Sequence, residues 1–403
     1  MAEGNGGPLS GVRVIDMTTV VVGPICGRTL ADQGADVIKV EAPQGDLLRT
    51  MARGGRNPGM SGKFMNFNRN KRSIGLDIKQ PEGLAALKKL IDGADVFVTN
   101  VRPQGLARAG LDFETLRETN PRLVYCGIVA FGEGGRYYNR PAYDPIIQSL
   151  SGVAGTFERA IGEPRFVPMV MTDHVTGLIA AQCIGFALYR REKTGVGEAI
   201  ETPMLENLAS FVSSEHLAGL TFVPPAGESG DNRLLSPDYR PLATKDGYIT
   251  VGPNTNPQAF AFFEAIGRPE LKDDPRFDSA ASRTANAADY FEVRAAGLLQ
   301  KTTAEWLEIF AEKDVPAARY NSIDDLLDDP HLQDVGFYTE ADHPSEGRIL
   351  NTKVPNTFSG GMRKETLPAP RLGEQTREVL AELGYDDAAI DAMLAAGAAV
   401  KAG

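Results

Sequence analysis

The sequence predicts an α/β protein in which a parallel sheet flanked by helices forms a first domain and a smaller domain follows. Three observations carry this. The chain opens on a β-α-β pattern, strands and helices keep alternating as far as Thr202, and the composition changes at Pro224-Pro-Ala-Gly-Glu-Ser-Gly230. At 403 residues the chain is long enough to divide into two domains.

Gly11–Asp16 reads as the first strand, Pro24 suits the first turn of a helix running to about Gln33, and Gly34–Glu41 reads as the second strand. Two strands joined through a helix lie parallel in one sheet. Glu41 stands where a ribose-binding acid would sit in a dinucleotide fold, but the turn from Thr18 to Gly27 lacks G-x-G-x-x-G, which argues against a nicotinamide cofactor. Between Asp46 and Asp77 there is no acidic residue, while Arg49, Arg53, Arg56, Lys63, Arg69, Lys71 and Arg72 fall inside the gap. That run reads either as a solvated loop or as a surface for a phosphate-bearing ligand, with Phe64 and Phe67 interleaved. A helix over Glu82–Ile91 and a strand over Asp95–Asn100 follow. Arg102, Pro103 and Gly105 then lie beyond the carboxyl end of that strand, where open α/β sheets place their ligands.

Two short helices and a strand over Arg122–Phe131 extend the pattern, and Tyr143–Leu150 reads as a helix start. Glu198–Thr202 reads as a short strand and Met204–Leu220 as an apolar helix. The expected organisation is a large domain over 1–224, a small domain over 225–323, and a connector over 324–403 that returns to the first domain. Within the small domain Tyr248–Gly252 reads as a strand, with helices at Gln258–Ile266 and around Trp306–Lys313. The tail from Leu372 to Ala399 reads as two helices separated at Gly384.

Composition removes several classes of function. Lysine plus arginine minus aspartate plus glutamate gives 42 − 53 = −11, which argues against general nucleic-acid binding. No apolar run reaches membrane-spanning length, and the first residues have neither the basic region nor the apolar core of a signal peptide. Cys26, Cys126 and Cys183 lie far apart in apolar segments and read as reduced core residues of a cytoplasmic protein. The four histidines lack ligand spacing, so no metal is expected, and neither a G-x-S-x-G elbow nor a P-loop is present.

The most informative stretch is Val167–Gly177. Phe166–Met171 reads as a short buried strand leading into Thr172-Asp173-His174, after which Val175, Leu178, Ile179, Cys183 and Ile184 recur at the spacing of a buried helix. Asp173 therefore stands at a helix start, near free N–H groups and the positive end of the dipole. It reads either as a plain N-cap or as a carboxylate held ionised at neutral pH, as a nucleophile requires.

Taken together the chain resembles the family III CoA-transferases, the formyl-CoA and carnitine CoA-transferase group. The matching pieces are Leu9–Asp16, Gly34–Glu41, Asn68–Asp77, the turn from Asn100 to Leu111, Asp173-x-x-x-Gly177 and the Arg371-Leu-Gly-Glu tail, in the family's order over nearly the whole chain. The resemblance implies a doubly wound, Rossmann-like large domain built from both ends of the chain, a smaller α+β domain inserted in it, and an interlocked homodimer. It implies that Asp173 attacks an acyl-CoA thioester to give a mixed anhydride, and that CoA returns to form an aspartyl thioester before passing to an acceptor acid. Coenzyme A is then a co-substrate, and no cofactor stays bound. Lys71, Arg72, Asn100 and Arg108 match positions near CoA in relatives, and Tyr143 and Asp144 match a tyrosine–acid pair near the reacting group.

The chain departs from the formyl-CoA enzymes at Val21, where they carry glutamine, at Ala42, where they carry an adenine-stacking arginine, and at Ser229–Pro237, where they carry a run of glycines. These departures favour a larger or more apolar acyl group than oxalate or formate. Two other readings stand beside the transferase. One is a non-catalytic CoA-binding subunit, against which the retained Asp173 argues. The other is a 2-methylacyl-CoA racemase. Related racemases place a histidine before an aspartate where this chain has Tyr143-Asp144, and tyrosine, with a reference pKa of about 10, is a poor base at neutral pH.

Overall fold

The computed structural model describes residues 6–51, 54–363 and 365–402, so Arg53 of the basic run lies outside the described residues. The chain divides into two compact units, one made of Met1–Ser151, Val167–Phe211 and Gly336–Gly403, the other of Gly152–Phe166 and Val212–Val335.

The larger unit is built on a seven-stranded sheet. Its strands are β1 (Arg13–Met17), β2 (Asp36–Glu41), β3 (Lys71–Leu76), β4 (Val96–Thr99), β5 (Val124–Val129), β6 (Ala199–Pro203) and a terminal strand, Ala399–Val400. The order is terminal strand, β3, β2, β1, β4, β5, β6. All neighbours pair in parallel except the terminal strand, which runs antiparallel to β3. This is the 3-2-1-4-5-6 order of a doubly wound sheet, whose topological switch lies between β1 and β4. Helices cover the sheet, so β1, β2 and β4 are buried almost throughout and read as continuous apolar runs rather than alternating ones. Helix α1 (Val22–Asp32) crosses from β1 to β2 and packs against the long helix Met171–Thr194.

Three expectations change. Phe166–Met171 is not a buried strand: the backbone is irregular up to the helix start at Met171, and Phe166 and Met169 are exposed. Pro168 has no N–H to give to a ladder, and the segment is instead held by one side chain. Gln148 accepts from Val167 N at 2.9 Å and donates to the Met169 carbonyl at 3.3 Å. The basic run is not a loop, since it contains the helix Gly62–Asn68 and the whole of β3. The tail adds a sheet strand after its two helices, Thr376–Glu382 and Asp387–Ala395.

The smaller unit has a three-stranded antiparallel sheet of Leu242–Ala243, Tyr248–Val251 and Ala317–Arg319. Helices packed on it bury Phe262, Phe263, Trp306 and Phe310 in one aromatic core. Two of these helices begin with full capping boxes, Thr255 with Gln258 and Thr302 with Glu305, which satisfy their first free N–H groups. Among the described residues no helix is long and apolar enough to cross a membrane.

Candidate active site

The turn that joins β1 to α1 sits at the topological switch, and four side chains hold its backbone. Asp16, at the end of β1, accepts from Thr18 N at 3.1 Å and from the Thr18 hydroxyl. Lys39 of β2 donates from Nζ to the Thr18 carbonyl and to Asp46 Oδ2, both at 2.9 Å, and Asp46 Oδ1 accepts from Val20 N at 3.1 Å. Asn100, just past β4, accepts from Thr19 N at 3.1 Å and donates back to the Thr19 carbonyl at 3.0 Å. Val20 is thereby fixed at φ 69°, a conformation a β-branched residue rarely adopts and one that persists only when its surroundings over-determine it.

Asp173 reaches this turn because of Gly177. A Cβ at Gly177 would stand 2.5 Å from the Val22 carbonyl, so glycine lets the long helix press directly on the start of α1. Asp173 lies one turn earlier on the same face, since residues four apart stack on a helix. The result is a cavity of about 330 Å³ at the carboxyl ends of β1, β4 and β5, with Asp173, Val20, Asn100, Arg102, Arg140 and Tyr143 in its wall.

Asp173 is the third residue of its helix and half-buried. Among the described residues its carboxylate has neither a hydrogen bond nor an ion pair. The helix start is capped from outside by Asp144, a buried carboxylate whose Oδ1 accepts from Thr172 N at 2.7 Å and Asp173 N at 3.4 Å. Gln148 donates to its Oδ2 at 2.6 Å. Asp144 thus takes up the free N–H groups that would otherwise draw charge onto Asp173. Burial, then the neighbouring Asp144 charge, pushes the Asp173 carboxyl up to about 7, with Lys63 opposing. The expected carboxylate, firmly ionised by a helix dipole, is instead one poised near neutrality.

The structure brings together Asp173, Asn100 and Tyr143 in the cavity wall, with Asp144 directly behind Asp173. Tyr143 is exposed there and is the N-cap of helix Asp144–Leu150. Arg108 is exposed in the last turn of helix Pro103–Ala109 and is not part of the cavity wall. Lys71 and Arg72 are placed elsewhere, because consecutive strand residues face opposite sides of a sheet. Lys71 is buried, its Nζ donating to Asp16 Oδ2 at 2.9 Å, the Pro24 carbonyl at 3.0 Å and Asn68 Oδ1 at 2.9 Å, which uses all three protons. Glycine at position 27 leaves room for this pair, as a Cβ there would meet Asp16 Oδ2 at 2.4 Å. Arg72 faces the opposite side and pairs with Asp36 at 2.7 Å, Glu378 at 2.8 Å and Glu382 at 2.6 Å. Neither cation is free for a phosphate.

Two cavity residues were absent from the expected site. Arg102 carried a signal, since it follows β4 directly. Arg140 carried none beyond its place in the loop before Tyr143, where its guanidinium stands 4.9 Å from the centre of the Tyr137 ring.

The half-buried acid and the rigid turn thus face a cavity at the switch point of a parallel sheet, where open α/β folds bind their ligands. Residues 9–376 match the model of CoA-transferase family III, and the chain belongs to that family. It is an enzyme that moves coenzyme A between an acyl-CoA and a free carboxylic acid. The chain is 33% identical to the succinyl-CoA:glutarate CoA-transferase of Mus musculus, over 97% of its own length and 90% of that protein's. It is also 33% identical to the succinyl-CoA:mesaconate CoA-transferase of Haloarcula marismortui, over 94% and 97%. Among solved structures, a CAIB/BAIF family protein from Brucella suis superposes with a TM-score of 0.79 at 31% identity, covering 94% of this chain and all of that one.

Proposed function

We propose that Asp173 is the nucleophile and that CoA passes through it covalently. The observation that carries this is a carboxylate poised near neutrality in the cavity wall with no partner among the described residues. A carboxylate oxygen of Asp173 attacks the thioester carbonyl, the C–S bond breaks, and CoA leaves as a thiolate. The thiolate attacks the aspartyl carbonyl of the mixed anhydride and the donor acid departs, leaving CoA on Asp173 as a thioester. The acceptor carboxylate then attacks that thioester, and the released thiolate attacks the acceptor carbonyl of the new anhydride, restoring Asp173. The thioester energy is kept at each step and no net proton is consumed. A carboxylate whose pKa is raised is a better nucleophile than an ordinary one, and Asp144 supplies part of that rise.

Tyr143 and the turn held by Asn100 border the acyl group in this reading, and Arg108 approaches the CoA phosphates from the rim. The apolar Val20–Val22 wall suits a carbon chain, and Arg102 and Arg140 suit a second carboxylate at its far end. A dicarboxylyl-CoA donor of the succinyl type, as named for the relatives above, fits that division. The test is incubation with succinyl-CoA followed by hydroxylamine. An aspartyl hydroxamate at position 173 is expected by peptide mass mapping. Its absence, in protein that exchanges label between succinyl-CoA and free succinate, would remove the nucleophile assignment.

We propose further that the enzyme works as an interlocked homodimer. Leu178, Phe186 and Tyr189 are exposed on the long helix that carries Asp173, an apolar surface that in a dimer would be covered. Sedimentation equilibrium should give twice the chain mass, and Phe186→Asp should shift the protein toward monomer. A monomeric parent protein at micromolar concentration rules this out.

A further inference from the structure

The smaller unit contains a cavity of about 570 Å³ that no step of CoA transfer uses, a volume within the usual range of small-molecule sites. Two arginines in its wall, one buried and one half-buried, have no carboxylate within ion-pair distance among the described residues. Arg283 is 4% exposed and donates to neutral acceptors only: the Phe277 carbonyl at 2.9 Å, the Asn254 carbonyl at 3.3 Å and Asn256 Oδ1 at 2.9 Å. Arg294 donates to the Val251 carbonyl, and its Nε is buried with no hydrogen-bond partner. Its guanidinium is held by stacking, 5.4 Å from the Tyr290 ring centre and 5.1 Å from that of Phe291. Arg233 and Arg240 stand exposed at the same cavity, each beside an aspartate of its own loop.

A buried guanidinium is costly unless an anion offsets it, and in this protein other buried cations do have one: Lys39, Arg49, Arg69 and Lys71 all pair with carboxylates. Arg283 and the half-buried Arg294 break that pattern around the same Tyr290 ring, in a cavity large enough for a ligand. We propose that this cavity is a second binding site, distinct from the acyl-transfer site, for a compact polyanion such as a tricarboxylate or a phosphate. Arg294 and Arg283 receive its charge and Arg233 and Arg240 close over it. The aromatic rings are already taken up by Arg294, so the ligand is recognised by its oxygens rather than by a stacked ring.

The test uses the full chain with saturating CoA, so that the acyl-transfer site is occupied, and titrates citrate and inorganic pyrophosphate in separate calorimetric runs. One of the two should bind saturably, which also tells carboxylate from phosphate recognition. Arg294→Met should weaken that binding tenfold or more, and the exposed variant Arg240→Ser should weaken it severalfold while leaving CoA transfer at the parent rate. Arg240→Ser keeps the test informative if Arg294→Met does not fold. Absence of saturable binding by either probe at millimolar concentration overturns the proposal. So does an affinity unchanged in the folded variants.

Discussion

Replacing Asp173 by asparagine should remove activity and at the same time stabilise the fold, but only above a defined pH. The folded carboxyl titrates at about 7, and in an unfolded chain an aspartate titrates at about 3.9. Between those values the folded protein holds a proton that the unfolded chain has released, so folding becomes less favourable as pH rises through this window and levels off above about 7. The full difference corresponds to about 4 kcal/mol, but Asp173 is half-buried beside an open cavity, and solvent screening reduces this to about 2 kcal/mol. Asp173→Asn carries no charge at any pH and escapes that loss. Urea denaturation followed by circular dichroism should therefore show the two proteins equally stable near pH 4 and the variant ahead by about 2 kcal/mol near pH 8. A stability difference that is flat across that range would refute the perturbed carboxyl.

The same titration sets the rate. Only the ionised carboxylate attacks, so kcat/KM should fall about tenfold for each pH unit below about 7 and plateau above it. Asp144→Asn removes the negative charge while its side-chain oxygen still accepts from Thr172 and Asp173, at the loss of the Gln148 hydrogen bond. The acid limb should then move down by about one pH unit. An acid limb near 4 in the parent enzyme would mean that neither burial nor Asp144 acts on Asp173.

Two further outcomes follow from the geometry. Gly177→Ala should cost about 2 kcal/mol of stability and lower kcat by about a hundredfold, because its Cβ would stand 2.5 Å from the Val22 carbonyl and push Asp173 off the turn. Steady-state kinetics beside a CoA titration checks this, with CoA affinity expected to stay near that of the parent. Incubation of a (2R)-2-methylacyl-CoA in deuterated water without an acceptor acid should give no deuterium at C2. Racemisation needs acid–base groups on opposite faces of the carbon, whereas Asp144 lies behind Asp173 on one side; mass spectrometry showing exchange with inversion would establish racemisation.

The alternating strands and helices of the larger unit were legible because each has an apolar period and a clear stop, as at Gly195, which caps the Asp173 helix at φ 76°. Asp173-x-x-x-Gly177 was visible as a piece of the family pattern, but the close approach of Gly177 to the Val22 carbonyl was not. Nor were other partners distant in sequence. Lys39 lies in an apolar strand and its acceptor Asp46 in the following loop, and nothing local announces that they meet beneath Val20. Asp144 gave no sign of capping a helix 27 residues away, because a cap supplied from another element leaves no pattern at the helix it serves. One of the boundaries between units falls at Phe211/Val212, inside helix Met204–His216, where a continuous apolar period hides any break.

The basic run shows most clearly why composition misleads. Lys71, Arg49 and Arg69 look like a phosphate-binding surface because their counter-ions are not in the run: Asp16 and Asp32 precede it by tens of residues, and Glu41 sits just before it. Folded, each cation is matched to a buried acid, and the set is close to charge-neutral. Burying matched charges contributes little to net stability, since the desolvation of both groups offsets their attraction. What these pairs supply is position. Asp16 and Lys71 hold Thr18, Lys39 and Asp46 hold Thr18 and Val20, and a turn clamped at successive residues keeps a strained valine in the same cavity wall as Asp173. In the proposed mechanism the Asp173 carboxyl group must be met in turn by a thioester, a thiolate and a carboxylate, and a misplacement of about 1 Å costs roughly a hundredfold in rate. The charges beneath the turn therefore serve rigidity, and in the proposed mechanism recognition of the substrate's own charge is left to the arginines in the cavity wall, Arg102 and Arg140.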